Sequence, residues 1–383
     1  MAPLIARARI ELRELRRPAA NRLEALVLAG GRRQLIWLET DGFPVRASAD
    51  AFLPILVPAA MASGLPLRIA APVSAEVIAA AHRVSHVFAS WYPHWAELAL
   101  ETPAASASPM SNLESGARAA FFSGGLDSFH TLLSRRDQLQ HLLYVHGFDI
   151  PLAEQLKADL VRRSLLSVAA EAGVSLLVLR TNLRAFTDRW VRWDLHQCGG
   201  ALAAVALLLS QHLKQVVIPS SYSLPFLYPY GSHPGLDSLW SIPGLELLHD
   251  AFMQDRAAKA MAIAPWSLAR RHLRVCWQPH MPQLNCGRCR KCLTTAAILR
   301  GYCSAYDWPT FPNQLDLKAL SRLQTNSSDM LNRFFVLRDH LSSTGSDPEL
   351  LAAVLQLLAS QGRRHPGKAL RHLAVRGLAR RRF

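Results

Sequence analysis

The sequence has few cysteines, few lysines and no apolar run of membrane-spanning length. Six cysteines in 383 residues are too few for a scaffold held together by disulfides. The longest clean apolar stretch, residues 199–210, is shorter than the roughly 18 to 20 residues that a membrane-spanning helix needs. No secretory apolar segment follows Met1, because charged residues interrupt the opening of the chain. We therefore expect a soluble protein of the cytoplasm.

Lysine is scarce, whereas arginine is abundant. The chain carries 43 Lys and Arg residues against 28 Asp and Glu residues, a formal net charge of +15. No acidic residue follows Glu349, and the stretch from Arg363 to Arg382 is strongly basic. We expect contact with nucleic acid or an anionic membrane only through this basic tail, and the alternative is a solvated terminus.

The composition is typical of a globular enzyme with more than one folding unit. Half of the residues are hydrophobic and 19% are charged, which excludes a disordered or fibrous chain. Residues 1–100 predict a small α+β domain with a hairpin turn at Gly30 and Gly31. The Ser-, Pro- and Ala-rich residues 101–118 predict a linker.

Beyond the linker, residues 119–303 alternate strand and helix patterns. The predicted strands are residues 119–122, 141–145, 175–179 and 215–219, and the predicted helices are residues 127–134, 152–172 and 194–214. This alternation is typical of an α/β fold with a parallel sheet covered by helices. Residues 304–383 predict a helical extension that ends in the basic tail.

A glycine-rich turn joins the first predicted strand of this region to the following helix. Its residues are Ser123, Gly124, Gly125, Leu126, Asp127 and Ser128. Glycines bring backbone N–H groups close to an anion, and the helix directs its positive end to the same point. The turn therefore predicts a phosphate site, in which Asp127 would hold Mg²⁺. The alternative is an ordinary capped turn.

This hexapeptide resembles the SGGxDS signature of the PP-loop ATP pyrophosphatase superfamily. The chain contains neither a Walker phosphate loop nor a dinucleotide-binding fingerprint. The resemblance implies a parallel sheet, a loop that holds the pyrophosphate end of ATP, and cleavage between the α- and β-phosphates. It also implies that adenine lies at the end of the second strand, at Val145, His146 and Gly147.

Four of the six cysteines are closely spaced. Cys276 is followed by Cys286, Cys289 and Cys292. Four thiolates meet the tetrahedral demand of structural zinc, and the two-residue spacings suit a metal knuckle. An iron–sulfur cluster and a group of ordinary buried cysteines are the alternatives.

The PP-loop turn followed by these cysteines resembles the 7-cyano-7-deazaguanine synthase family across residues 119–303. The resemblance implies zinc at the four cysteines and a Lys259 close to the nucleotide, with Asp127, Ser123 and Lys259 as catalytic residues. Residues 146–151 and 221–240 depart from the family pattern. We therefore expect an ATP-dependent ligase that adenylates a different carboxylate and transfers it to ammonia or an amine.

Two other functions remain open. One is an RNA-modifying PP-loop enzyme of the tRNA-thiolating kind, acting on a modified base. The other is an ATP-binding subunit of a defence or scaffold complex, with a protein partner bound through the N-terminal domain. A homodimer is a further expectation. We expect Cys198 to be a core residue, and we expect the Trp-rich segments near Trp91 and Trp193 to pack at domain junctions.

Overall fold

One mixed sheet runs through the fold. The computed structural model describes residues 8–103, 116–278, 280–303, 307–325 and 327–364, with side chains as far as residue 361. Within these residues the sheet has ten strands, in the order β10-β9-β6-β7-β8-β3-β2-β1-β4-β5. The strands are β1 Ile10–Ala19, β2 Arg22–Ala29, β3 Arg32–Thr40, β4 Leu67–Ile69, β5 Leu100–Glu101, β6 Ala117–Phe121, β7 His141–His146, β8 Ser175–Thr181, β9 Leu213–Pro219 and β10 Glu246–Asp250.

Half of the sheet, from β6 to β10, is parallel. From β6 the chain continues to β7 and β8 on one side, and then returns to β9 on the other side of β6. Such a reversal opens a crevice at the carboxyl ends of the strands, where ligands bind in sheets of this kind. The four strands predicted in this region are confirmed. Strand β10 was not predicted, because it begins and ends on an acidic residue.

The N-terminal strands extend this sheet. Strand β3 pairs antiparallel with β8, with Leu38 opposite Thr181 and Thr40 opposite Leu179. The predicted hairpin turn is confirmed, since Gly30 and Gly31 join β2 to β3 with φ of 56° and 73°. Strand β1 was not predicted, because charged residues occupy half of it and its buried residues, 10–12, lie together at one end and do not alternate. The boundary between the expected N-terminal and PP-loop domains stays a prediction, and much of the expected linker lies outside the described residues.

Helices cover both faces of the sheet. In chain order they are α1 Leu53–Ser63, α2 Ala75–Trp91, α3 Leu126–Arg135, α4 Gln155–Ala172, α5 Arg184–Thr187, α6 Cys198–Leu208, α7 Pro234–Asp237, α8 Arg256–Ile263, α9 Ser267–His272, α10 Arg290–Tyr302, α11 Leu317–Ser321, α12 Ser328–Thr344 and α13 Pro348–Arg364. One apolar core lies between the sheet and α1, α2 and α6. The other lies beneath α3, α4, α8, α10, α12 and α13.

Aromatic residues at the end of α2 hold the N-terminal half against the parallel half. The Tyr92 hydroxyl donates to the carbonyl oxygens of Leu195 and Pro229, at 3.3 and 3.4 Å. Trp91 packs edge-on against His233, with ring centroids 5.0 Å apart. The segment packs against residues of the parallel half, and its expected place at a domain junction stays a prediction. Its contacts fall on the segments that enclose the cavity described below.

The C-terminal region is helical as far as it is described. Helix α12 packs against α10 and α13, so the predicted helical extension is present over α11 to α13. The basic tail beyond α13 lies outside the described residues. In the described part of the chain, no helix is both long enough and apolar enough to cross a membrane.

Candidate functional site

A cavity of about 260 Å³ lies at the carboxyl ends of β6, β7 and β9. The glycine-rich turn 123–128 forms one of its edges. The lining residues include five charged side chains, Asp127, Asp149, Arg256, Arg274 and Lys291, and a group of aromatic, sulfur and hydroxyl side chains without formal charge, Phe148, Trp193, Cys198, Tyr230 and Ser232. We call these two parts the charged half and the uncharged half of the cavity.

The glycine-rich turn follows β6 and leads directly into α3. Gly124 has φ of 75°, a conformation that L side chains rarely adopt. The Ser128 hydroxyl donates to the Gly125 carbonyl at 2.9 Å and closes the first turn of the helix. The N–H groups of this first turn have no partners within the helix, so they are available to an anion in the cavity.

Arg274, about 150 residues further along the chain, donates two hydrogen bonds to the glycine-rich turn. Its backbone N–H donates to the Gly124 carbonyl at 2.7 Å, and its guanidinium Nη1 donates to the Ser123 carbonyl at 3.0 Å. Arg274 is 5% exposed. Arg274 could not be predicted from the sequence, because its contacts are long-range and it belongs to no motif.

Asp127 is paired with two cations. Its carboxylate lies 3.2 Å from Arg256 Nη2 and 3.5 Å from Lys259 Nζ. Burial alone would raise the pKa of Asp127, but the charges of Arg256, Lys259 and Arg333 lower it below its ordinary value. The carboxylate is therefore ionised and already neutralised. This arrangement does not fit Asp127 as a free Mg²⁺ ligand, and the Mg²⁺ expectation has no support in the geometry.

Lys259 contacts the glycine-rich turn through Asp127, and it is not among the described residues that line the cavity. It is 1% exposed, and its Nζ donates to the Ser220 carbonyl at 2.7 Å as well as to Asp127. A buried ammonium needs such partners to offset its desolvation. Lys259 thus lies beside the turn, and its predicted place close to the nucleotide stays a prediction. Its catalytic role stays a prediction, and its contacts are those of a counterion.

Three buried donor atoms beside the turn have no partner among the described residues. They are the Tyr144 hydroxyl, Arg256 Nε and Arg274 Nε, and all three residues line the cavity. Burial raises the pKa of Tyr144 to about 12, so its phenol is neutral. A buried donor without an acceptor is costly. Together these atoms form a set of donors that suits a bound anion.

The predicted adenine edge is only partly at the cavity. Val145 lines it. His146 is 5% exposed and its Nε2 lies 3.1 Å from the Pro151 carbonyl; burial lowers its pKa, so the ring is neutral. Gly147 has φ of 110°, and a Cβ there would lie 2.0 Å from the Thr181 carbonyl oxygen. His146 and Gly147 therefore fix the backbone at the end of β7, and neither is among the described residues that line the cavity.

The structure brings the four predicted cysteines together. The ligand atoms of Cys276, Cys286, Cys289 and Cys292 all lie within 4.8 Å of one another. Two of the sulfur pairs, Cys276 with Cys289 and Cys286 with Cys292, are 3.9 Å apart. Tetrahedral zinc with Zn–S bonds of about 2.3 Å requires sulfur separations of roughly 3.8 Å. These four residues can hold a metal ion such as Zn²⁺.

Backbone N–H groups support the sulfurs. The Cys286 sulfur accepts from the N–H of Cys289 at 3.2 Å, and the Cys289 sulfur accepts from the N–H of Cys292 at 3.5 Å. Hydrogen bonds from Cys289 and Cys292 lower the pKa of the Cys276 thiol. Such bonds favour the thiolate, which is the form that binds metal.

Asn285 fixes the approach of the two cysteine segments and was missed from the sequence. It is 2% exposed. Its Oδ1 accepts from the N–H groups of Val275 and Cys276, and its Nδ2 donates to the carbonyls of Leu273 and Thr310. Its position directly before Cys286 is the sequence feature that could have pointed to a role for Asn285 at the cysteine cluster.

The uncharged half is lined by Phe148, Trp193, Cys198, Tyr230 and Ser232. Cys198 was expected in the core, but it reaches the cavity wall. Burial raises the pKa of its thiol well above the ordinary value. The π-helical turn Trp193–Gln197 directly before α6 places Trp193 and Cys198 on the same wall.

Asp237 anchors the loop that carries Tyr230 and Ser232. It is 1% exposed, and its Oδ2 accepts from the Ser232 hydroxyl and lies beside His249 Nδ1, both at 2.7 Å. This loop belongs to residues 221–240, which the sequence singled out as a departure from the family pattern. The individual residues could not be chosen, because their positions depend on contacts with α6.

Comparison of the chain with protein-family models, curated proteins and solved structures found no match.

Proposed function

We propose that the cavity binds ATP and that the protein is an AMP-forming ligase. The observation that carries this proposal is the set of unpartnered buried donors beside the glycine-rich turn. Arg256, Arg274 and Lys291 add positive charge on the same side of the cavity. A triphosphate would satisfy these donors together with the N-terminal N–H groups of α3. The resemblance of residues 123–128 to PP-loop enzymes supports the same conclusion.

The proposed reaction is the one that the resemblance to PP-loop enzymes implies. A substrate carboxylate oxygen attacks the α-phosphorus, a new P–O bond forms, and the bond to the β-phosphate oxygen breaks, so pyrophosphate leaves. Ammonia or an amine then attacks the acyl carbon, AMP leaves with the former carboxylate oxygen, and the nitrogen loses a proton to solvent. Arg256, Arg274 and the N–H groups of α3 stabilise the charge that accumulates on the departing pyrophosphate.

The acyl substrate binds in the uncharged half. Ser232 and Tyr230 offer hydroxyl groups there, whereas Trp193 and Phe148 offer aromatic surface. The side chains of this half carry no formal charge, so a substrate with a second ionised group would lose solvation without gaining a partner. The carboxylate end of the substrate points to the turn.

A thiolating enzyme is the second candidate, and one observation favours it. The Cys198 thiol lies in the cavity wall, where a sulfur carrier would be needed. The raised pKa of this thiol opposes the role, because the thiolate is the reactive form. An ATP-binding subunit without turnover is the third candidate.

Product analysis tests the proposal. The purified protein is incubated with ATP labelled at the α- or γ-phosphate and with pooled small carboxylates and ammonium. We expect labelled AMP and labelled pyrophosphate in equal amounts. Release of ADP and phosphate would contradict the proposal, and saturable ATP binding without any cleavage would favour the non-catalytic subunit.

A further inference from the structure

The cysteine cluster contributes directly to the cavity wall. Cys276, Trp277 and Lys291 line the cavity, although the cysteines were expected only to hold a structural metal. Trp277 follows one of the four cysteines, and Lys291 lies between two others, Cys289 and Cys292. The Lys291 ammonium lies 5.2 Å from the centroid of the Trp277 ring. The two side chains therefore form one unit at the edge of the charged half.

Lys291 lies in the first turn of α10, whereas Trp277 lies in the segment before that helix, which is held by the cysteine cluster and by Lys157, whose Nζ donates to the Met281 and Gln283 carbonyls. In the described residues between α9 and α10 there is no helix or strand. Asn285 and the sulfur contacts join the two ends of this irregular segment. A metal ion bound by all four thiolates would lock both ends together and so fix Trp277 relative to Lys291.

The charges around Lys291 belong to the proposed nucleotide site. The charged groups that act on it are Asp149, Arg256, Arg274 and Asp127. Two of these are cations that already face the glycine-rich turn, and Asp127 is paired with Arg256. With Lys291 the group holds three cations and two carboxylates, so one positive charge is left without a counterion. The negative charges of a bound nucleotide would neutralise it.

We propose that Lys291 binds a phosphate group of the nucleotide and that the metal held by the four cysteines sets its position. This inference rests on the proposed ATP site. Lys291 is thus a nucleotide-binding residue, and the metal site is a positioning device for it as well as a fold-stabilising one. The arrangement links the affinity for ATP to the occupancy of the metal site.

The neighbouring Arg290 offers a matched control. It also lies over Trp277, with its guanidinium carbon 5.7 Å from the ring centroid, and it follows Cys289 directly. Arg290 is exposed, as is Lys291, but unlike Lys291 it is absent from the described residues that line the cavity. Replacing it removes one positive charge from the same segment without removing a cavity contact.

The experiment compares ATP binding by calorimetry in the metal-loaded wild type, Lys291→Met, Lys291→Arg and Arg290→Met. We expect the dissociation constant to rise about tenfold in Lys291→Met, because a charge-assisted hydrogen bond is lost. We expect less than a threefold change in Lys291→Arg and Arg290→Met. Metal content and circular dichroism show that each variant is folded and loaded.

A second readout tests the link to the metal. Co²⁺ replaces the native metal, and its visible thiolate bands are recorded during an ATP titration. We expect ATP to shift the bands in wild type and in Arg290→Met, and not in Lys291→Met. If wild type binds no ATP, the proposed function fails. If ATP binds with equal affinity to wild type and Lys291→Met, or if the bands never shift, this inference alone is overturned.

Discussion

The two halves of the cavity are built in different ways. Most of the charged half comes from short segments with a sequence signal, such as residues 123–128 and the cysteines that end at Cys292, and Arg274 is the exception. The uncharged half is assembled from side chains that have no motif, including Trp193, Tyr230 and Ser232. Charged and metal-binding residues can form short sequence motifs. The residues of a surface that recognises a neutral group are scattered along the chain and form no motif.

Different interactions stabilise the two halves of the cavity. In the charged half, Asp127 neutralises Arg256 and Lys259, so ion pairs and thiolate sulfurs dominate. In the uncharged half, close backbone contact dominates, since the Gly199 N–H donates to the Gly231 carbonyl at 2.9 Å. Loss of charge should therefore damage one half, and added bulk should damage the other.

Metal removal gives the largest expected difference between the halves. Because the segment between α9 and α10 has no regular structure of its own, chelation should unfold it. We expect a loss of about 5 kcal/mol or more in the free energy of unfolding of that segment. Hydrogen exchange should show lost protection around Cys276 and Cys292 and unchanged protection in α6. Equal loss in both regions would show that the metal stabilises the whole cavity.

Asp127→Asn should give the next largest effect, and it should act on stability as well as on activity. The substitution leaves Lys259 and Arg256 without a counterion, which costs about 3 kcal/mol. Pyrophosphate release should fall by about a hundredfold or more. Chemical denaturation and product analysis measure the two effects.

The pH dependence of Asp127→Asn provides a control. The folded-state pKa of Asp127 lies below the ordinary value of 3.8. The stability that its ionised form contributes is therefore complete above that value and is lost as the pH falls through the folded pKa. The difference in stability between wild type and Asp127→Asn should shrink below pH 3.8. A difference that is constant with pH would mean that the charge of Asp127 does not stabilise the fold.

Strands β6 to β9 could be predicted from the sequence because each is a short apolar run between turn signals. Residues 123–128 and the four cysteines were predictable for the same reason, since each set is local. Pairing of β3 with β8 could not be predicted, because it joins residues about 140 apart and depends on register. Arg274 and Tyr230 were missed because only the tertiary fold brings them to the cavity.

Gly199→Ala should damage the uncharged half selectively. A Cβ at this position would lie 2.0 Å from the Gly231 carbonyl oxygen and 2.4 Å from Asp237 Oδ1. Overpacking of this kind costs about 1 to 3 kcal/mol, and the loop that carries Tyr230 should shift. We expect a raised KM for the acyl substrate and an unchanged dissociation constant for ATP.

Gly235→Ala is the matched control for Gly199→Ala, because among the described residues a Cβ there would lie within 4 Å of the His233 ring alone, at 3.3 Å or more. It should behave like wild type in both measurements. If Gly199→Ala weakens ATP binding as strongly as it raises the KM of the acyl substrate, the two halves are not independent sites.

Cys198→Ala should give the smallest effect, and it tests whether the uncharged half performs chemistry or only recognition. The thiol donates one weak hydrogen bond to the Asp194 carbonyl at 3.5 Å, so its loss should cost less than about 1 kcal/mol. Because the raised pKa keeps the thiol protonated, we expect pyrophosphate release within twofold of wild type. Cys198→Ser, which retains a donor, should match it. A hundredfold loss in both variants with ATP binding intact would assign sulfur chemistry to Cys198 and favour the thiolating enzyme over the ligase.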